Sequence, residues 1–278
     1  MHNSFISIVT IVENDRDFRK LPEYLNGLHQ VLSESFSDHE IILVNNSLIR
    51  DFGDIPKKIS AEIKKSIYLL NLSSVVNRNH AIVAGLDRAN GDYTVIFELT
   101  FFRNTALVKE LFEAASEGKD IIYLRAKKRK AKKRFRLLYT LFYWILKNYS
   151  ELKIDNRAHD TRIISRRALN SLLRLRENLR YMKAIYSIIG YQTDYIEVEQ
   201  PIEEHNTSFN EKFRTSLVAI SSFTSFLRSL LMWIFIVSIL FMGVVIANAL
   251  KVKITNVDFF GTHHEAIPGW TYLVVIYS

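Results

Sequence analysis

Three stretches of this sequence combine residue types that could do chemistry. The first is Glu98-Leu99-Thr100, a carboxylate and a hydroxyl that follow directly on the run Tyr93 to Phe97 (YTVIF). That run is β-branched and aromatic without polar alternation, as expected of a central parallel strand covered on both faces. In an open α/β sheet, ligands sit beyond the carboxyl ends of such strands. The second stretch is His159-Asp160-Thr161-Arg162-Ile163-Ile164-Ser165-Arg166-Arg167. It sets an acid among arginines, a group that can grip phosphate or form only a local salt bridge at a strand start. The third is Arg125 to Arg136 (RAKKRKAKKRFR), with nine basic residues in twelve and no acid.

The elements that must position these residues follow from the apolar pattern. Phe5 to Val12 (FISIVTIV) reads as a buried strand, and Asn14 to Asp17 supplies turn and cap residues before a helix from about Phe18 to Phe36. Glu40 to Val44 (EIILV) is a second strand, ending in Asn45-Asn46-Ser47, and Asp51 to Lys65 is a polar connection with a helix. Ser66 to Leu72 is a third strand. Ala81, Ala84, Gly85 and Ala89 keep one face of the next helix small, and Asn90-Gly91-Asp92 stops that helix before the Tyr93 strand. A helix over Asn104 to Ser116, a strand over Asp120 to Leu124 and a last strand over Tyr195 to Glu199 complete the series. Strands alternating with helices in this way make βαβ units and a parallel sheet with right-handed crossovers.

Composition bounds the partners. The 278 residues can bury one large core, and 48% apolar content with a mean hydropathy near zero suits a soluble domain with an apolar appendage. The absence of cysteine excludes disulfides and thiolate metal sites. A net charge of +8 and a pI near 9.5 point to an anionic partner, a phosphate-rich substrate or an acidic membrane surface. The basic run has one aromatic, Phe135 near its end, rather than rings interleaved along it, which argues against nucleic acid. It leads instead into Leu137 to Leu146 (LLYTLFYWIL), and cations beside an aromatic stretch are what an interfacial segment needs; a solvated loop is the plain alternative.

The carboxyl-terminal third is read as membrane-associated. Glu211 to Arg228 has the pattern of an interfacial amphipathic helix, with core packing as the alternative. Ser229 to Leu250 has 22 residues without a charge, about 33 Å as a helix and enough to cross a bilayer. The basic residues before it place the large domain in the cytoplasm by the positive-inside rule, and the start of the chain shows no signal peptide. Residues 254–266 then form a short external loop. Pro268 opens a second apolar run of about 10 residues, too short to span. The expected domains are thus 1–210, 211–228, 229–250 and 251–278.

The pattern AxxAGLDxAxGDY (residues 81–93), the strand after it and the acid at its end resemble the family-2 glycosyltransferases with a GT-A fold. The similarity is to the polyprenyl-phosphate branch. The family ends this strand in Asp-x-Asp, whose carboxylates hold a divalent cation on the sugar-nucleotide diphosphate. Here Glu98 and Thr100 stand in those places. The family's base pocket corresponds to Asn14 after the first strand and Asn45 after the second. The resemblance continues through the family's Gly-Asp-Phe-Arg-Leu-Leu-Ser-Arg, matched here by Asp160, Arg162, Ser165 and Arg166, with Thr161 in place of an aromatic. Lys183 stands where the family often has arginine. The family's basic donor-closing loop falls at 203–210, which here carries Glu203 and Glu204.

The resemblance implies a membrane-anchored inverting glycosyltransferase. Its donor would be a nucleotide sugar (a UDP- or GDP-hexose) and its acceptor a polyprenyl phosphate. Glu98 would hold Mg²⁺ or Mn²⁺. Asp160 would be the base or would orient the acceptor. Arg162, Arg166 and Lys183 would contact phosphate. A homo-oligomer is compatible with this reading. The rival from another class is a non-catalytic member of the fold that binds lipid phosphate or a partner enzyme, because the donor-side features at 11–13, 45–46, 98–100 and 203–210 are altered together.

Overall fold

The computed structural model describes residues 1–47, 59–127, 136–150, 154–175, 182–202, 217, 220–221 and 224–263. The chain divides into two compact units, Met1–Phe223 and Thr224–Ser278. Among the described residues of the first, seven strands form one sheet. They are β1 (His2–Val12), β2 (Phe36–Asn45), β3 (Ile67–Asn71), β4 (Tyr93–Ile96), β5 (Ile121–Ala126), β6 (Ala158–Ser165) and β7 (Thr193–Val198), in the spatial order β3-β2-β1-β4-β6-β5-β7. The helices of this unit are α1 (Asp15–Ser35), α2 (Ala61–Ser66), α3 (Arg78–Arg88), α4 (Leu107–Ser116), α5 (Arg136–Tyr149), α6 (Arg166–Arg174) and α7 (Met182–Ile188).

β1 shows why both faces are covered. Ile6, Ile8 and Val12 join Leu21, Leu25 and Leu28 of α1 in one buried cluster. Val9 and Ile11 join Ala81, Ile82 and Leu86 of α3 in another. Side chains alternate along a strand, so a strand packed on two sides must be apolar at both parities. Of the two buried polar positions, Ser7 donates its hydroxyl to Glu40, and Thr10 pairs its hydroxyl with that of Tyr24, which also bonds the Phe97 carbonyl. Burial pushes the Tyr24 phenol well above its ordinary pKa, so it stays a neutral partner there.

The small-residue face of α3 has a measurable consequence. A Cβ placed on Gly85 would lie 2.4 Å from a methyl of Val9 and 2.9 Å from a methyl of Val44. Gly85→Ala should therefore cost about 1–3 kcal/mol through overpacking, despite alanine's better helix propensity. The check is a lower urea midpoint with an unchanged m value.

All strand pairings are parallel except those of β6, which runs against both β4 and β5. This departs from the simple βαβ series and decides where the site forms. Tyr93 pairs with Ser165 and Ile96 with Arg162, a register that carries Glu98 opposite Asp160. On the other side of β4, Val9 pairs with Ile96 in parallel, so Glu13 emerges at the same end. β2 and β3 lie on one side of β1 and β4 on the other, which makes this end the topological switch point of the sheet.

In the second unit, α8 (Phe226–Thr255) is 30 residues long, about 45 Å. It is long and apolar enough to cross a membrane. It overruns the expected 229–250 at both ends. Its last turn is closed by Asn256 in the left-handed conformation (φ 54°), with the Asn256 N–H bonded to the Val252 carbonyl. Lys253 stands in that turn, where a cation suits the helix dipole, and Lys251 donates to the Asp258 carbonyl. Most of the amphipathic stretch expected at 211–228, the loop at 203–210 and the apolar run from Pro268 lie outside the described residues.

Candidate active site

Three neighbouring strands present one carboxylate each at the switch point: Glu13 after β1, Glu98 after β4 and Asp160 in β6. Neighbouring strands stand about 4.8 Å apart, so the three charges would repel one another unless something lay between them. Arg78, the first residue of α3, supplies it. Its Nε donates to Asp160 Oδ2 at 2.9 Å, its Nη1 to Glu13 Oε2 at 2.9 Å and its Nη2 to Glu98 Oε1 at 3.3 Å. The Arg78 side chain is 15% exposed. Burial alone would lower its pKa, but the charges of Asp160, Glu13 and Glu98 outweigh burial and raise it, so the guanidinium stays charged.

Glu98 is held on its second oxygen as well. Oε2 accepts from the backbone N–H groups of Asp160 (3.0 Å) and Thr161 (3.1 Å) and from the Thr161 hydroxyl (3.3 Å). The Glu98 N–H in turn donates to the Thr161 hydroxyl at 3.0 Å. Threonine in place of an aromatic ring is what makes this exchange available, because a phenyl ring neither donates nor accepts in that way. His159 Nδ1 lies 3.6 Å from the same oxygen, its other nitrogen faces the Gln200 carbonyl at 3.1 Å, and its ring meets Phe101 edge-on. Glu98 thus ties the end of β4 to the start of β6.

The other expected site residues divide by position. Thr100 sits in the 3₁₀ turn Leu99–Phe101, half-buried. Asn45 is buried at the end of β2, bonded through its amide to Asn71 and through its oxygen to Ser47. Next to it Asn46 exchanges two bonds with the backbone of Val76, fixing the approach to α3. Asn14 caps α1, accepting from the N–H groups of Arg16 and Asp17. Lys183 donates to the Ala158 carbonyl at 2.7 Å.

Two arginines differ from what their sequence neighbourhood suggested. Arg162 is almost fully buried; it reaches back to the carbonyls of Asp160 and His159 and stacks 3.8 Å over the Tyr186 ring. Its donors hold the start of β6 in place. Arg166 follows β6 at the other end of the sheet, where its N–H bonds Asp92 and its guanidinium bonds the Ala89 carbonyl. The strand from Asp160 to Ser165 separates it from the carboxylates by roughly 15 Å or more. In the basic run, Arg125 pairs with Asp155 and Glu197, and Lys127 with Glu199; residues 128–135 lie outside the described residues.

Arg78 and Glu13 are the members that sequence reasoning missed. A signal was present: a cation in the first turn of a helix opposes the helix dipole and needs compensation elsewhere. The expected metal does not fit this arrangement. As the side chains stand, with Arg78 between Glu13, Glu98 and Asp160, no group of three or more His, Cys, Asp or Glu among the described residues is disposed to hold a metal ion. Glu98, the expected ligand, has both oxygens engaged by protein donors.

No protein-family model matches the chain. CsbB of Bacillus subtilis (strain 168), named a glycosyltransferase, is 26% identical over 216 residues, covering 73% of this chain and 65% of CsbB. The uncharacterized glycosyltransferase sll0501 of Synechocystis sp. (strain ATCC 27184 / PCC 6803 / Kazusa) is 26% identical over 97% of this chain and 83% of its own length. The bactoprenol glucosyl transferase of Shigella phage SfV is 25% identical over 80% of this chain and 72% of that protein. The chain is a glycosyltransferase homologue. It spans just under two thirds of the length of CsbB. Among solved structures, mannosyl-3-phosphoglycerate synthase from Rubrobacter xylanophilus aligns with a TM-score of 0.50 at 11% identity, over 78% of this chain and 72% of that one. That likeness concerns the fold, the mixed α/β sheet with helices that this homologue shares with it.

Proposed function

We propose that this glycosyltransferase homologue moves a hexose from a nucleotide sugar to a polyprenyl phosphate at the cytoplasmic face of a membrane. The observation that carries this reading is Glu98 facing Asp160 at the switch point of the sheet, in a chain similar to bactoprenol glucosyl transferases. Inverting transfer needs a base beside the acceptor and donors fixed before the reaction begins. Asp160 is the candidate base, oriented by Arg78; Asn45, at the end of β2, and Thr100, just after β4, stand at the strand ends where a donor would lie. Residues 1–210 form the transferase part, and α8 is the anchor. Two further features support contact with a lipid surface. Leu141 and Trp144 stand half exposed three residues apart on α5, directly after the basic run. The chain as a whole carries a net charge of +8.

One observation favours a second reading: Arg78 already satisfies all three carboxylates, as it would in an inert binding member of the fold. The experiment that separates the two uses detergent-solubilised protein with labelled UDP- or GDP-hexoses and polyprenyl phosphate. Formation of a labelled glycolipid supports the transferase. Retention on polyprenyl-phosphate vesicles, with no glycolipid from any donor, supports the binding protein.

A further inference from the structure

We propose that Arg78 is a resident cation standing where a divalent metal ion would otherwise sit among Glu13, Glu98 and Asp160, so that this site excludes Mg²⁺ and Mn²⁺ and engages its ligands without them. Three carboxylates at the tips of adjacent strands form a negative concavity, and such a concavity collects a cation. Here the cation is covalently part of the chain. The planar guanidinium sends a separate nitrogen to each carboxylate, at 2.9, 2.9 and 3.3 Å. A metal ion bridging the same oxygens would need them at little more than 2 Å from one centre, the space that the guanidinium fills.

The way Arg78 is held explains why it does not give way. Asn77 caps α3, accepting from the Asn79 N–H, and Asn46 pins Val76 just before it. Gly85 lets α3 press against β1 and β2, so the helix start cannot withdraw from the strand tips without opening that contact. The remaining Glu98 oxygen is taken by three donors of Asp160 and Thr161, which turns the carboxylate towards β6. The extension to ligand binding rests on the proposed transferase reading, whereas metal exclusion is a property of the chain itself.

The test is Mn²⁺ binding followed by electron paramagnetic resonance. Wild-type protein should leave Mn²⁺ free at this site, whereas Arg78→Met, which vacates the centre and keeps the three carboxylates, should bind Mn²⁺ roughly tenfold or more tightly. Adding Glu98→Gln to Arg78→Met should remove that gain. Wild-type Mn²⁺ binding that Glu98→Gln abolishes, or a folded Arg78→Met protein with no gain, would overturn the proposal. If Arg78→Met does not fold, thermal stabilisation of the wild type by UDP and GDP decides instead. Shifts that survive EDTA support the proposal, and shifts that require Mn²⁺ overturn it while leaving the transferase reading intact. The absence of any nucleotide shift, with or without Mn²⁺, tells against the transferase reading and the ligand half of the proposal together; Mn²⁺ resonance on the wild type still judges metal exclusion.

Discussion

Asp160→Asn is expected to lower hexose transfer by about 10²–10⁴-fold, the range typical of a lost general base. Asparagine has nearly the same shape, and its carbonyl oxygen can still accept from Arg78 Nε, now 2.9 Å from the carboxylate. The backbone N–H of residue 160 that serves Glu98 is untouched by the exchange. Thermal stability should therefore change little, and nucleotide-induced stabilisation should persist, because no expected base-pocket residue is altered. Loss of transfer with both of those preserved assigns Asp160 to the chemistry. Full transfer by the variant would dismiss it as the base and leave it only a partner of Arg78.

Glu98→Ala should act on folding instead, with a loss of about 3–5 kcal/mol, the usual result of removing one partner from a buried, bonded charge group. Alanine would leave the Asp160 and Thr161 N–H groups and the Thr161 hydroxyl without their acceptor in a buried place. It would also strip Arg78 of one of its three carboxylates. For a unit of this size the loss corresponds to roughly 10 °C or more in Tm. Glu98→Gln is the instructive comparison. One amide oxygen can serve either Arg78 or the β6 donors, and the NH₂ then faces donors on the other side, so this variant should fall between alanine and wild type. Circular dichroism melts of the three proteins test the order, and a Glu98→Ala protein as stable as wild type would show that β4 and β6 are joined by something else.

Much of the frame was legible in the residues. The two-sided apolar runs gave β1, β2 and β4, and the Asn90-Gly91-Asp92 turn marked the start of β4. Glu98 and Asp160 could be singled out as well, one by its place after an apolar strand and the other by motif. The partner that joins them was not legible. Arg78 lies 65 residues from Glu13 and 82 from Asp160, and no local pattern encodes a contact at that distance. Arg166 shows the opposite case: it is near Asp160 in the chain, but β6 lies between them and carries it to the other end of the sheet. Arg162 was singled out as a phosphate contact by motif and by its guanidinium fork; what sequence could not show is its setting, stacked over the Tyr186 ring and bonded to two carbonyls of its own strand.

The antiparallel course of β6 also limits how this region can change length. Inserting or deleting a single residue between Asp160 and Ser165 would rotate the strand's start by half a pleat. The carboxylate would then turn towards Phe101 in the apolar layer, and Thr161 after an insertion, or His159 after a deletion, would face Arg78 in its stead. A change of two residues restores the original facing. Gains and losses in this segment among functional relatives should accordingly come in even steps.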